Sequence, residues 1–308
     1  MLRALFISLA ENRALRGVAE RSSFGQKFSS RFVAGTEIDD ALQAARKINA
    51  AGLSVSIDNL GENVTNADEA RASAAIYHQL LDAIHAQNLN ANVSLKLTHM
   101  GLDVDEKLAQ DQVSALVSKA AKLNPSNFVR VDMEGSPYTE KTLAFVHALH
   151  RMPGNADAVG TVIQSYLHRS EKDVEDLLAN GIRIRLCKGA YKEPPEIAFQ
   201  KKSDVDANYV KLMKILLKSG IYHGLATHDE SIILEAKAFA TRENIARDSF
   251  EFQMLHGIRR DLQQSLVKEG WRMRVYVPFG TEWYPYFMRR LAERPANVLF
   301  IAKNLLRR

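Results

Sequence analysis

Residues 283–298 read WYPYFMRRLAERPANV, so Arg289 and Arg290 stand side by side among aromatic rings, with Pro285 and Pro295 at the two ends. At about 100° per residue, a helix here brings Tyr286, Arg289, Arg290 and Glu293 within an arc of roughly 100°. Phe287, Leu291 and Val298 then share another face. Adjacent guanidiniums repel unless solvent or an anion lies between them, and their planar forks match a carboxylate. The stretch is therefore either a solvated basic face or one wall of an anion site. Other residues with chemical capacity recur at regular intervals, each closing an apolar run: Lys96, Asp132 with Glu134, Gln164, Arg185, Lys188 with Gly189, Thr227 with His228, Gln253 with His256, and Tyr276.

The runs they close are LSVSID (53–58), NVSLKL (92–97), FVRVDM (128–133), GTVIQSY (160–166), IRIRLCK (182–188), HGLATH (223–228), FEFQML (250–255) and MRVYVP (273–278). Helical-period stretches separate them, over 66–88, 105–123, 139–150, 170–180, 196–219, 230–243 and 258–269, with 283–294 and 296–306 after the last strand. Asp105, Ser170 and Asp229 are capping signals ahead of acidic first turns. Eight strand-helix units of roughly 25–40 residues match parallel crossovers, which predicts an α/β chain folded as a (β/α)8 TIM-type barrel with extra N-terminal helices. No linker interrupts the series, so residues 1–308 read as one domain: an arm over 1–52 and a barrel over 53–308. A helix over 36–51 is expected outside the barrel, plugging its N-terminal mouth.

Such a barrel places its active site at the C-terminal ends of the strands, where these polar residues fall. A charge facing inward there is costly unless it is paired or meets a ligand, so the pattern predicts a ligand-binding mouth. Arg185 followed by CKGAY offers a cation, a glycine that admits close backbone approach and an aromatic, which suits a planar, partly anionic cofactor. The ATH at 226–228 offers a hydroxyl and an imidazole for a phosphate or a polyol chain. The nine histidines are dispersed without ligand spacing, so no metal site is expected. A net charge of +5 from 41 basic and 36 acidic residues suits an anionic partner, but the basic residues are scattered, which argues against nucleic acid. A single cysteine, Cys187, excludes an intrachain disulfide and fits a reducing cytoplasm. No apolar run reaches the ~18 residues of a membrane span. The N-terminal MLRALFISLAENRALRGVAER reads as an amphipathic helix that packs on the body of the protein or lies on the inner face of the membrane.

Together the segments SLKL (94–97), VRVDMEGS (129–136), IRLCKGAYKEP (184–194), ATHDE (226–230), EFQMLHGIR (251–259) and VYVPFGTEWYPYFMRRLAERPAN (275–297) resemble flavin-dependent proline dehydrogenase in its stand-alone bacterial form. IDNLGENV (57–64) fits as well. The resemblance implies oxidation of L-proline to pyrroline-5-carboxylate, with hydride passing to noncovalent FAD and electrons then to a quinone. It implies that Arg289, Arg290 and Lys96 hold the substrate carboxylate, that Glu293 steadies the arginine pair, and that Tyr276, Tyr286 and Leu255 wall the ring. For the flavin it implies Arg185 beside the reactive edge, Gln164 on the pyrimidine, Met133 and Lys188-Gly189-Ala190 along the ring and its chain, and Thr227-His228 toward the phosphates. It also implies that Asp132 and Arg185 carry the catalytic roles, with Asp132 as the charge partner of Lys96.

Two other classes fit parts of the pattern. A lyase or aldolase barrel with Lys96 or Lys188 as a Schiff-base nucleophile needs a desolvated lysine without a flanking carboxylate. A basic binding module needs its basic residues gathered on one outer face.

Overall fold

The computed structural model describes residues 31–284 together with Tyr286 and Met288. Most of its strands alternate apolar and polar residues. In β1 (Ser54–Asn59), Val55 and Ile57 alternate with Ser56 and Asp58; in β7 (Phe250–Leu255), Phe250, Phe252 and Met254 alternate with Glu251 and Gln253. Successive side chains of a strand point to opposite faces, so each such strand offers one apolar and one polar row. With β2 (Ala91–Leu95), β3 (Val129–Val131), β4 (Val159–Gln164), β5 (Arg183–Cys187), β6 (His223–Ala226) and β8 (Arg272–Phe279), these strands close into an all-parallel eight-stranded barrel in sequence order. β8 seals onto β1 through Ser54↔Arg274 to Asn59↔Phe279.

The apolar rows face outward and are covered by α1 (Ile38–Ala50), α2 (Ala67–Ala86), α3 (Glu106–Lys122), α4 (Ser136–Arg151), α5 (Ser170–Ala179), α6 (Lys202–Lys218), α7 (Glu230–Arg242) and α8 (Arg260–Lys268). One continuous apolar cluster runs from Val55, Ile57 and Phe252 to Tyr77, Leu116, Val146, Leu212 and Ile233 on the helices. Burial of this annulus is the main drive for the fold. The polar rows face the lumen. Arg185 on β5 reaches Ser56 on β1, Ser94 on β2 and Gln253 on β7, contacts possible only across the inside of the barrel.

The expected strands lie within a few residues of the observed ones, and the helix boundaries differ where side chains or prolines intervene. The Asp105 side chain accepts from the N–H groups of Lys107 and Leu108, and that of Asp229 accepts from Ser231 N–H, both as N-caps. Ser170 is not a cap: the cap position is Arg169, and Ser170 Oγ donates instead to the Leu167 carbonyl. α6 begins at Lys202 rather than 196. Pro194 accepts a turn from Ile197 and Ala198, and residues 197–199 exchange backbone bonds with Tyr166 and His168 before the helix can start. The helix expected over 36–51 is α1, but it does not plug the N-terminal mouth. Ala34 N–H donates to the Pro278 carbonyl and Gly280 N–H to the Gly35 carbonyl, both beside the C-terminal end of β8, while Asn49 bonds Leu53 and Asn90 at the opposite end. α1 therefore runs down the outer wall along β8 and β1, burying Ala41, Leu42 and Ala45. The segments expected as helices over 1–21, 283–294 and 296–306 lie largely or wholly outside the described residues.

Candidate active site

At the C-terminal ends of the strands the lumen row ends in a connected set of charged groups. Arg185, near the end of β5, donates from Nη1 to Asp132 Oδ1 at 2.7 Å, from Nη2 to Ser94 Oγ at 3.0 Å and Ser56 Oγ at 3.2 Å, and from Nε to Gln253 Oε1 at 2.5 Å. Tyr276 on β8 donates from Oη to Asp132 Oδ2 at 3.1 Å, and the Arg185 guanidinium lies 5.2 Å from its ring centroid. Asp132 stands one residue beyond β3, where its own N–H still pairs with the Leu95 carbonyl, so the ladder itself fixes its direction. Burial, with the Asp58 and Asp132 carboxylates nearby, holds the Tyr276 phenol well above its ordinary range, so it stays a donor.

Lys96 is one residue past β2, and its ammonium pairs with Asp58 at the end of β1, 3.3 Å away. This corrects the expectation that Asp132 is its partner. Asp58 pairs with Ser94 in the β1–β2 register, which brings its carboxylate within reach of Lys96, while Asp132 is taken by Arg185 and Tyr276. Burial works against the Lys96 charge, but Asp58, with Glu62 and Asp132, outweighs it and holds the group above the ordinary ammonium range. Asp58 in turn is raised by burial, against the opposing pull of Lys96. Tyr77 of α2 donates to Asp58 Oδ1 at 3.2 Å. The site also contains Asp58, Ser56, Ser94 and Tyr77, which the sequence reading passed over. Asp58 was accessible to it, since it closes the first strand just as Asp132 closes the third.

The remaining expected residues divide. Gln164 is buried and donates from Nε2 to the Glu134 carbonyl at 2.9 Å. Met133 is buried within the apolar cluster. His228 Nε2 accepts the Leu255 N–H at 3.0 Å, bringing those two positions together, and Thr227 Oγ1 accepts from Asp229 N–H at 3.0 Å. Lys188 turns the other way. It pairs with Asp206 on α6 at 2.5 Å and with Asp229 at 2.9 Å, as its alternation with Arg185 requires. Tyr286 is buried. Arg289, Arg290 and Glu293 lie outside the described residues.

The segment after β5 tests whether a flavin suits this mouth. Gly189 has φ +111, and a Cβ there would sit 2.2 Å from the Tyr166 ring. Only glycine lets this backbone lie so close to Tyr166, and Cys187, Gly189, Ala190 and Ala226 all present small, partly exposed surface at the mouth. Bare peptide and small side chains beside Arg185, Gln164 and Thr227 fit a flat, polar-edged ring. Among the described residues no cluster of metal-ligating side chains occurs, and no helix is long and apolar enough to cross a membrane.

The family model described as proline dehydrogenase matches residues 41–303. The chain is 40% identical to proline dehydrogenase 1 of Bacillus subtilis over the full length of both, and 39% identical to the proline dehydrogenase of Deinococcus radiodurans over 100% of this chain and 98% of that one. The bifunctional protein PutA of Escherichia coli matches at 28% over 88% of this chain and 23% of its own length. Among solved structures, proline utilization A from Bdellovibrio bacteriovorus, inactivated by N-propargylglycine, superposes with a TM-score of 0.81 over 94% of this chain and 36% of that one. At 24% identity that likeness speaks for the barrel alone.

Proposed function

The chain belongs to the proline dehydrogenase family of oxidoreductases, and on that premise we propose that it oxidises L-proline to pyrroline-5-carboxylate with FAD as hydride acceptor and a quinone as final electron acceptor. The observation that carries the reading is the buried Asp132–Arg185–Tyr276 unit beneath the mouth, with the Lys96 ammonium beside it. Gln164, Arg185, Gly189, Ala190, Thr227 and His228 would hold the flavin, with Met133 and Lys188 supporting the segments that carry them. Bound there, the flavin supplies the two-electron chemistry that side chains lack.

The rest falls to the protein. Lys96 attracts the proline carboxylate, and the family resemblance gives Arg289, Arg290 and Glu293 the rest of the clamp. Leu255, Tyr276 and Tyr286 wall the ring and fix its orientation, which lowers the entropy cost of reaction. Fixed cations near the substrate lower the pKa of its amine, which must be neutral before hydride leaves. Asp132 holds Arg185 in place, so that a positive charge stands ready for the negative charge that develops on reduction.

A Schiff-base lysine has no support here. Lys96 is charged and paired with Asp58, and Lys188 sits between two aspartates. The proposal is tested by purifying the protein, recording its visible spectrum, precipitating it with acid and adding L-proline anaerobically to the native sample. A yellow protein that releases its flavin into the acid supernatant and bleaches with L-proline is expected. A colourless protein, or a yellow one that proline does not bleach, overturns the proposal.

A further inference from the structure

Arg185 is anchored on two sides, and the side away from Asp132 has no part in the scheme above. Its Nε–H meets Gln253 Oε1, while Gln253 Nε2 donates to Glu251 Oε1 at 2.6 Å. A carboxylate only accepts, so the amide must turn its NH2 toward Glu251 and its oxygen toward Arg185. Glu251 is itself fixed from beyond by Arg274 Nε at 2.6 Å and Tyr222 Oη at 2.9 Å, and Arg274 by the Val55 carbonyl at 2.7 Å. Burial works to raise the Glu251 pKa, but Arg274, Tyr222 and Gln253 together outweigh it and hold the carboxyl below its ordinary range. Gln253 and Glu251 are each 3% exposed, so neither amide nor carboxylate can turn to water instead. The neighbouring strand leaves room for this arrangement at one residue. A Cβ on Gly224 would lie 2.3 Å from Gln253 Nε2 and 2.8 Å from its Cδ.

We propose that Gln253, oriented by Glu251 and given space by Gly224, is a positioning residue for the reaction: it sets the plane of the Arg185 guanidinium from the side opposite Asp132 and so keeps that charge where the flavin is held. The Nη contacts to Asp132, Ser56 and Ser94 fix one edge of the guanidinium, and the Nε bond fixes the other, removing the remaining rotation. This rests on the flavin-dependent oxidation proposed above, but it concerns a residue that needs to touch neither flavin nor proline.

Two variants of the flavin-loaded protein test it by opposite means. Gln253→Leu removes both amide bonds at nearly constant volume; Gly224→Ala leaves every polar group in place and pushes the amide aside. Three quantities are read for each: the flavin midpoint potential without substrate, the rate of anaerobic bleaching by L-proline, and the affinity for tetrahydrofuran-2-carboxylate, the oxygen-for-nitrogen analogue of proline. Both variants are expected to shift the potential to more negative values and to slow bleaching about tenfold, while binding the analogue within about twofold of wild type. A role confined to packing lowers the unfolding temperature but leaves the potential and the rate of the folded protein unchanged, and that result overturns the proposal. Should Gln253→Leu fail to fold, Gly224→Ala decides alone. Wild-type protein that proline does not bleach defeats the functional reading instead, which the variant-to-wild-type difference in potential does not depend on.

Discussion

Along β7, Phe250, Phe252 and Met254 face the annulus between strands and helices, while Glu251 and Gln253 face the lumen, and all five are at most 3% exposed. Burial is the same on both sides of the strand; the chemistry is opposite. The annulus stabilises by area alone, without direction, and tolerates exchange of one apolar group for another of like volume. In the lumen each donor needs its acceptor, because a buried polar group left alone costs a lost hydrogen bond and a buried charge costs more. Barrels of this kind usually fill the interior with branched aliphatic side chains. Here Ser56, Ser94, Arg130, Arg185, Glu251, Gln253 and Arg274 occupy it, and even so Arg130 Nε finds no partner among the described residues. A protein that gives up this much apolar burial at its centre has put its apolar stabilisation at the outside and its paired polar groups at the inside.

That division can be broken from either face. The largest change in stability is expected from the annulus. Phe252, packed against Phe250 and Trp271 with ring centroids 5.4 and 5.8 Å away, is fully buried. Phe252→Ala should lower the unfolding free energy by about 3–5 kcal/mol in a denaturant titration, yet leave proline turnover per folded molecule at the wild-type rate. Lost turnover in protein shown to be folded would blur the line between the two regions.

Next comes an effect of pH at the edge of the lumen. Burial, and then the nearby Lys96 ammonium, push the His99 imidazole down to about 4, and its Nδ1 has no hydrogen-bond partner among the described residues. The folded-state pKa lies below the unfolded value of about 6.5, so the contribution of His99 to stability is present above pH 6.5 and is lost as pH falls toward 4. Between pH 7 and pH 5 this amounts to about 2 kcal/mol for this one group. His99→Gln should remove that share of the acid sensitivity, seen as a smaller difference between unfolding curves at the two pH values. An identical pH difference in the variant would remove His99 from the account. A smaller change is expected from Tyr276→Phe, which deletes only the hydroxyl holding Asp132. Turnover should fall about tenfold, or about 1.4 kcal/mol in the barrier, with a stability change no larger than about 1 kcal/mol.

Much of this was legible in the sequence because one signal, apolar and polar residues in strict alternation, is local. LSVSID at 53–58 became β1 over Ser54–Asn59, and Asp132, Arg185 and Tyr276, from three of the runs, are joined by hydrogen bonds beside the Lys96–Asp58 pair. Alternation also held information left unused: it puts Lys188 on the face opposite Arg185, where it meets Asp206 and Asp229. What could not be read locally was pairing across the barrel. Whether Lys96 meets Asp58 or Asp132 depends on the β1–β2 register, and the Gln253–Arg185 bond spans 68 residues and passes over β6. The start of α6 was misplaced for a similar reason, since the bonds delaying it come from Tyr166 and His168.

The central claim is that Arg185 serves flavin reduction and contributes little to holding the substrate. Arg185→Met tests it most directly, with anaerobic bleaching of the flavin by L-proline measured in stopped flow beside tetrahydrofuran-2-carboxylate binding on the same folded sample. Bleaching at least about a hundredfold slower, some 2.7 kcal/mol in the barrier, with the analogue bound within about threefold of wild type, is the expected result. A variant that bleaches at the wild-type rate would contradict the claim.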